Sequence, residues 1–217
     1  MLMDTQQLLV ISSFVLPLIV AITLHEAGHA FAANKLGDPT AKVMGRLSLD
    51  PLRHVDAFGT ILLPGILMLS HAPILFGYAK PVPVNFGNLR PPRLGTILVA
   101  FAGPGMNLAL AFISALLLHL DNIITPEQAP WMFMNFYNSV TVNVILAVFN
   151  LLPILPLDGG RILNSLLPRR LAYKHALTER HGMLIILALF MLPAFLHDAG
   201  IANIPVSYYL IALPAAS

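Results

Sequence analysis

The sequence predicts an all-α polytopic membrane protein with about four to six transmembrane helices, each of which needs roughly 20 apolar residues. Of the 217 residues, 57% are hydrophobic and 10% are charged, and the mean hydropathy is +0.79. Soluble domains carry about 25% charged residues, so a chain of this composition cannot be enclosed in a polar surface. Since no polar stretch is long enough to fold alone, residues 1–217 are predicted to form a single transmembrane domain.

Six apolar segments indicate where the membrane helices lie. They cover residues 8–33, 57–76, 94–119, 134–157, 183–197 and 201–214. The first, third and fourth are long enough to span a bilayer, whereas the second contains Pro64 and Gly65. The last two are short, with Pro193 and Pro205 inside them, so they could be thin spans or a re-entrant hairpin. We expect a catalytic core at about 8–165, followed by a hydrophobic hairpin at about 183–214.

A short β-like segment is predicted between the second and third apolar segments, at residues 77–89. Pro81 and Pro83 alternate there with other residues, and prolines at alternate positions rule out a helix because each lacks an N–H. Irregular backbone at membrane depth is tolerated where it lines a cavity. An extended peptide could add to the edge of this segment by pairing with the amides of Val82 and Val84.

The basic residues predict the orientation. All Lys and Arg residues lie in two blocks, 35–93 and 161–180, and the loop at 120–131 has none. Because cytoplasmic loops carry the excess of basic residues, both blocks are predicted to be cytoplasmic and the loop external. A single crossing at 57–76 would conflict with this, so that segment either crosses with a return or dips into the bilayer. The net charge of +2 and basic residues at membrane borders indicate a lipid bilayer as partner and no nucleic acid.

The first apolar segment contains a His-Glu-x-x-His motif made by His25, Glu26 and His29. On a helix this spacing places both histidines on one face, where they can bind a single Zn²⁺ with Glu26 alongside as a general base. The alternative is a helix with two unrelated histidines and a glutamate paired to a basic group. An ionised group in hydrocarbon costs at least ~2.5–3.5 kcal/mol, which favours the metal site.

A further carboxylate, Asp158, lies at the cytoplasmic end of the fourth apolar segment. Pro153 and Pro156 disrupt the helix before it, so the side chain is presented from a broken helix end. The chain has no cysteine, and zinc would therefore need nitrogen and oxygen ligands. Two histidines, a carboxylate and a water make the open tetrahedral site of a catalytic zinc. The alternative for Asp158 is a turn carboxylate paired with Arg161.

Three stretches carry a resemblance to a known family. They are His25-Glu26-Ala27-Gly28-His29, the Asn-x-x-Pro-x-x-Pro-x-Asp-Gly pattern that begins at Asn150, and Gly103-Pro104-Gly105-Met106-Asn107. Together, over about residues 20–165, they resemble the site-2 protease family of zinc metalloproteases that cleave within the membrane. The sequence resembles a minimal form, without an inserted peptide-binding domain or a C-terminal sensing domain.

The resemblance implies one zinc per chain, ligated by His25, His29 and Asp158. Glu26 would activate the attacking water, and Asn150 would contact the substrate or its developing oxyanion. The protein would then be a zinc-dependent endopeptidase that hydrolyses bonds within or near transmembrane segments of membrane proteins. It would lie in the cell membrane of a prokaryote, with the site toward the cytoplasm.

Asn107 resembles a substrate-binding residue more weakly. For holding the unwound substrate, we consider Val82 and Val84 the candidates. Two other functions remain open on the sequence. Intramembrane Glu, Asp and His residues could line the path of a metal or proton transporter, although the motif is not repeated in two halves. A protease-like fold that only binds membrane segments is disfavoured, because the complete set of catalytic residue types is present.

Overall fold

The computed structural model describes residues 5–54, 56–62, 66, 80–119 and 129–198. Over these residues the predicted all-helical fold is confirmed. The α-helices are α1 (Thr5–Lys35), α2 (Thr40–Val43), α3 (Pro92–Leu118), α4 (Pro130–Asn150), α5 (Asp158–Leu166), α6 (Arg169–Ala176) and α7 (Glu179–Asp198). Single turns of 3₁₀-helix lie at Pro51–Arg53 and Phe86–Asn88, and a π-helical turn lies at Ala57–Leu62.

The long helices α1, α3 and α4 form a bundle in which each contacts the other two. Leu9–Lys35, Pro92–Leu118 and Pro130–Asn150 are the three described helices that are long and apolar enough to cross a membrane. Large apolar side chains face outward from them, and Phe112 is 65% exposed. An outer surface of this kind suits lipid and not water. The protein is therefore a multi-pass membrane protein.

Small residues allow α1 and α3 to approach closely. A Cβ added at Gly28 would come 2.8 Å from the carbonyl oxygen of Ala102, so the two backbones are nearly in contact there. Ala21, Ala27 and Ala30 are buried along the same helix. Small side chains at helix crossings are the usual solution in membranes, where close packing replaces a hydrophobic driving force between helices. This close approach brings α3 against the His-Glu-x-x-His motif of α1.

The remaining predicted spans are described only in part. The π-helical turn Ala57–Leu62 is the start of the apolar segment at 57–76, and most of that segment lies outside the described residues. The stretch at 183–197 is taken up by α7 as a single helix that includes Pro193, and α7 is not among the three candidate spans. Residues 201–214 also lie outside the described part. The count of four to six spans and the C-terminal hairpin stay predictions.

The expected β-like segment is not confirmed as a strand. Residues 77–79 lie outside the described part, and residues 80–85 form neither helix nor strand. The amides of Lys80, Val82 and Asn85 are paired, but not with a second strand. The Lys80 amide donates to the carbonyl oxygen of His54 (3.0 Å), and the Asn85 amide donates to the carboxylate of Asp38 (2.7 Å). A ladder needs a partner backbone, and here a loop and a side chain serve instead.

Asp38 anchors this segment to the end of α1. Its buried carboxylate accepts hydrogen bonds from the Thr40 hydroxyl (2.5 Å), the Asn85 amide (2.7 Å) and Asn88 Nδ2 (3.0 Å). Burial works against ionisation, but these hydrogen bonds outweigh it and lower the pKa of Asp38 below its usual value. The non-helical segment is thereby held beside the C-terminal end of α1.

Candidate metal centre

His25, His29 and Asp158 converge on one point between α1 and α5. Nε2 of His25 lies 3.1 Å from Nε2 of His29, and each of these nitrogens lies 3.3 Å from Oδ2 of Asp158. The three side chains are only 10–12% exposed. The histidines are one turn apart on one helix, whereas Asp158 is the first residue of α5, which packs against α3. The structure thus brings together the three ligands that the sequence predicts.

The spacing of these atoms fits a tetrahedral metal ion. Ligand atoms about 2.0–2.1 Å from a tetrahedral zinc lie about 3.3–3.4 Å from one another. The three sides of the triangle, 3.1, 3.3 and 3.3 Å, are close to that separation. Asp158 Oδ2 is buried and lacks a hydrogen-bond partner among the described residues. Three such groups would leave the fourth position of a tetrahedral site open, as catalytic zinc sites require.

Hydrogen bonds on the far side of each imidazole determine which nitrogen faces the centre. Nδ1 of His29 is 2.7 Å from the carbonyl oxygen of Val99, and Nδ1 of His25 is 2.6 Å from Oδ1 of Asn107. A carbonyl oxygen can only accept, so each Nδ1 carries the hydrogen and donates it. In the neutral rings both Nε2 atoms then present lone pairs to each other and to the carboxylate. A cation between them removes that repulsion.

One face of α3 supplies these contacts. Val99, Gly103 and Asn107 are spaced four residues apart, so they lie in one row along the helix. The outer two bind the histidines, and Gly103 lies between them against both rings. A Cβ at position 103 would come 2.7 Å from Cε1 of His25 and closer still to His29. The glycine is thus required by the space that the two imidazoles occupy.

The alternative for Asp158, a salt bridge to Arg161, does not occur. Nη2 of Arg161 lies 3.5 Å from Oε1 of Glu179, and its guanidinium stacks over the ring of Phe86 at 4.9 Å. The carboxylate of Asp158 faces the histidines instead. Its position depends on the close packing of α5 against the preceding turn. A Cβ at Gly160 would come 2.5 Å from the backbone of Ile154.

Glu26 is held by the non-helical segment. Its Oε2 accepts a hydrogen bond of 2.7 Å from the amide of Val82, whose side chain packs beside Ala30 and Ala41. The carboxylate is therefore oriented by a backbone group that is remote in sequence. Val84 lies two residues later, and its side chain packs against the clusters that contain Ala30 and Ala33 of α1. Its amide has no partner in the described part of the chain.

The two predicted asparagines differ in their surroundings. Asn150 is the last residue of α4 and donates from Nδ2 to the carbonyl oxygen of Leu146 (3.0 Å). Asn107 is fully buried behind His25. Its Nδ2 donates to Asn143 Oδ1 (2.8 Å), a contact that the sequence analysis missed. Asn143 could have been found in the sequence as an amide side chain inside an apolar run. The contact of Val99 could not, because it is made by a backbone carbonyl, which every residue has.

A family model for peptidase family M50 matches residues 13–128 and 123–193 of this chain. YwhC of Bacillus subtilis is 43% identical over 183 residues, which cover 82% of this chain and 80% of YwhC. Rip2 of Mycobacterium tuberculosis is 33% identical over 177 residues, covering 81% of this chain and 65% of Rip2. Both carry "zinc metalloprotease" in their names.

The similarity extends to an archaeal protein. Zinc metalloprotease MJ0392 of Methanocaldococcus jannaschii is 25% identical over 195 residues, covering 89% of this chain and 45% of MJ0392. No solved structure matches the chain. These relatives lend no support to the transporter alternative. With the motif, the metal-binding group and the matched family in agreement, the chain belongs to peptidase family M50, the site-2 protease family, and is a zinc metalloendopeptidase.

Proposed function

We propose that this enzyme hydrolyses peptide bonds within or near transmembrane helices of membrane proteins. The observation that carries the proposal is the position of His25, His29 and Asp158, whose ligand atoms meet inside a bundle of apolar helices. A bond that reaches this point is also within an apolar environment. A protease for soluble substrates has no use for such a location. Membrane proteins with a transmembrane helix are therefore the proposed substrates. We also propose that residues 1–217 act as one domain.

We assign the zinc to His25, His29 and Asp158, as the spacing of their ligand atoms supports. Zinc bound there would polarise the scissile carbonyl and lower the pKa of a water toward ~7. The surrounding side chains orient the histidines and limit access of water. The Nδ1 hydrogen bonds would keep both imidazoles turned toward a bound ion, and the 10–12% exposure of the three side chains would limit the access of bulk water.

Glu26 would act as the general base. The bond from the Val82 amide occupies Oε2 and leaves Oε1 to take a proton from the attacking water. The same carboxyl group would then return the proton to the leaving amine. A carboxylate that is already oriented loses little freedom when it acts, which is an advantage in a step that depends on position.

Asn150 would stabilise the oxyanion that develops on the scissile carbonyl. Its Nδ2 carries two hydrogens, and the bond to Leu146 uses one of them. The second is available for the substrate. Loss of such a donor typically costs ~2.7–4 kcal/mol in transition-state stabilisation.

The segment at residues 80–85 would hold the substrate. A transmembrane helix has closed its own hydrogen bonds, so it must unwind before a peptide bond can be attacked. The exposed backbone then needs new partners. The amide of Val84 is such a donor, because it is unpaired in the described part of the chain and lies two residues from the amide that holds Glu26. Pairing there would place an extended peptide next to the catalytic carboxylate.

The test is cleavage of a model transmembrane substrate by the reconstituted protein, with zinc counted in each variant. Glu26→Gln should keep its zinc and lose activity, whereas His25→Ala, His29→Ala or Asp158→Ala should lose zinc as well. Glu179→Gln is a matched control, because Glu179 lies on the surface in an ion pair with Arg161. Normal cleavage by Glu26→Gln would overturn the proposed mechanism. Metal flux into vesicles without a cleaved product would instead indicate transport.

A further inference from the structure

Asn107 and Asn143 form a buried amide pair behind His25. They are 0% and 1% exposed and belong to α3 and α4, respectively. Neither can reach solvent, so each hydrogen-bonding group must be satisfied inside the bundle. Hydrogen bonds within the bundle satisfy both amides. They join all three long helices at the level of the metal centre.

The orientation of both amides follows from their partners. Nδ2 of Asn107 donates to the carbonyl oxygen of Ala21 (3.2 Å), and Nδ2 of Asn143 donates to the carbonyl oxygen of Ser139 (2.9 Å). Backbone carbonyls only accept, so neither amide can be flipped. Oδ1 of Asn143 therefore accepts the second hydrogen of Asn107, at 2.8 Å. Oδ1 of Asn107 is left facing Nδ1 of His25, at 2.6 Å, where it can only accept.

Each hydrogen bond in this series fixes the orientation of the next group. Ser139 orients Asn143, Asn143 and Ala21 orient Asn107, and the acceptor of Asn107 requires the hydrogen of His25 to be on Nδ1. Nε2 of His25 is then free of hydrogen and directed at Nε2 of His29 and Oδ2 of Asp158. If Nε2 carried the hydrogen, the ring could not bind a metal through that atom.

Buried asparagines also occur in membrane bundles simply because interhelical hydrogen bonds hold helices together. The same bundle contains an example. Asn138 of α4 donates to the backbone oxygen of Ser13 in α1 (3.0 Å), about 18 Å along α1 from His25. This bond joins α4 to α1 without touching the metal centre, and it provides a control for helix packing.

We propose that Asn107 and Asn143 are positioning residues that hold His25 in the tautomer required for zinc binding. The proposal rests on the proposed function, because it takes His25 to be a zinc ligand. Asn143 acts through Asn107 and does not touch the histidine. Loss of partners of this kind typically lowers metal affinity by about 10- to 100-fold.

The experiment compares zinc affinity, by competition with a chelator, in Asn107→Leu, Asn143→Leu and the packing control Asn138→Leu. Asn107→Leu should weaken zinc binding by about 10- to 100-fold, Asn143→Leu by less, and Asn138→Leu not at all. ¹⁵N NMR of labelled histidine in the zinc-free protein should show His25 protonated on Nδ1, with a mixed tautomer in Asn107→Leu.

Asn107→Asp keeps the acceptor but loses the donors to Ala21 and Asn143, so it separates the two roles. It should retain zinc within a few-fold of the wild type even if the bundle is less stable, and it remains informative if Asn107→Leu does not fold. If Asn107→Leu and Asn138→Leu bind zinc equally well, or if Asn107→Asp loses zinc as Asn107→Leu does, the positioning role is wrong. Retention of zinc by His25→Ala would instead overturn the ligand assignment of the proposed function.

Discussion

Gly103 in α3 lies directly against His25 in α1, and a Cβ on the glycine would come 2.7 Å from Cε1 of the imidazole. The contact explains why a residue without a side chain stands in the middle of an apolar helix, where glycine is about 1 kcal/mol less favourable than alanine. The two imidazoles need the space that a methyl group would fill.

Replacing Gly103 by Ala should therefore displace the histidine rings and remove most of the zinc and the activity, although alanine favours the helix. Gly105→Ala is the matched control on the same helix, because among the described residues a Cβ there would meet only the ring of Phe101, at 3.4 Å. Zinc content of the two purified proteins is the measurement. Equal zinc in both would show that the site tolerates the methyl group and that the two imidazoles do not require a glycine at position 103.

The amide of Val84 can be tested without disturbing the metal. Val84→Pro removes an N–H that has no partner among the described residues. The loss of one hydrogen bond to the substrate, of about 0.5–1.5 kcal/mol, should slow cleavage of a transmembrane substrate by about 2- to 10-fold. Val84→Ala keeps the N–H while trimming the side chain, and it should cleave faster than Val84→Pro. Zinc content should be unchanged in both. Indistinguishable rates would move the search for peptide binding away from this segment.

Val82→Pro is expected to behave differently, because the Val82 amide donates to Glu26 Oε2. Loss of this hydrogen bond leaves Glu26 without its orienting partner, so kcat should fall. Binding of a substrate analogue that cannot be cleaved should change less. Separate determination of kcat and KM checks this. A change confined to KM would indicate that Val82, and not Val84, holds the peptide.

The orientation in the membrane can be measured on a protein that contains no cysteine of its own. A single cysteine at position 127 should react with a membrane-impermeant reagent applied from outside the cell. One at position 170, within the second basic block, should react only after the membrane is opened. The reverse pattern would place the metal centre toward the external face.

Asp38 provides a prediction about stability and pH. Its folded-state pKa is lowered, so its stabilising effect is fully present above the ordinary pKa of about 3.9 and is lost as pH falls through the lower folded value. Asp38→Ala should destabilise the protein by roughly 1–3 kcal/mol at neutral pH, because buried donors lose their acceptor. Thermal unfolding in detergent should show the difference from wild type shrinking below about pH 4. A difference that is constant down to pH 3 would argue against the ionised carboxylate as the anchor.

The sequence alone determined the membrane class and the pair of histidines. Hydropathy and charge content are properties of composition, and the relation of His25 to His29 is a property of one helical turn, so neither depends on the rest of the fold. Asp158 was predicted on similar grounds, as an acidic residue at the end of an apolar segment that could lie near the histidines.

The tertiary structure decided the contacts between distant segments. The pairing of Asn107 with Asn143 needs the packing of α3 on α4, and the orientation of Glu26 needs the Val82 amide, a group that every residue except proline possesses. The expected strand at residues 77–89 was not confirmed for the same reason. Prolines excluded a helix there, but a strand also requires a partner strand. The amides of Lys80, Val82 and Asn85 are bound by the His54 carbonyl, Glu26 and Asp38 instead. Local sequence limits what a segment can form, and packing selects its partners.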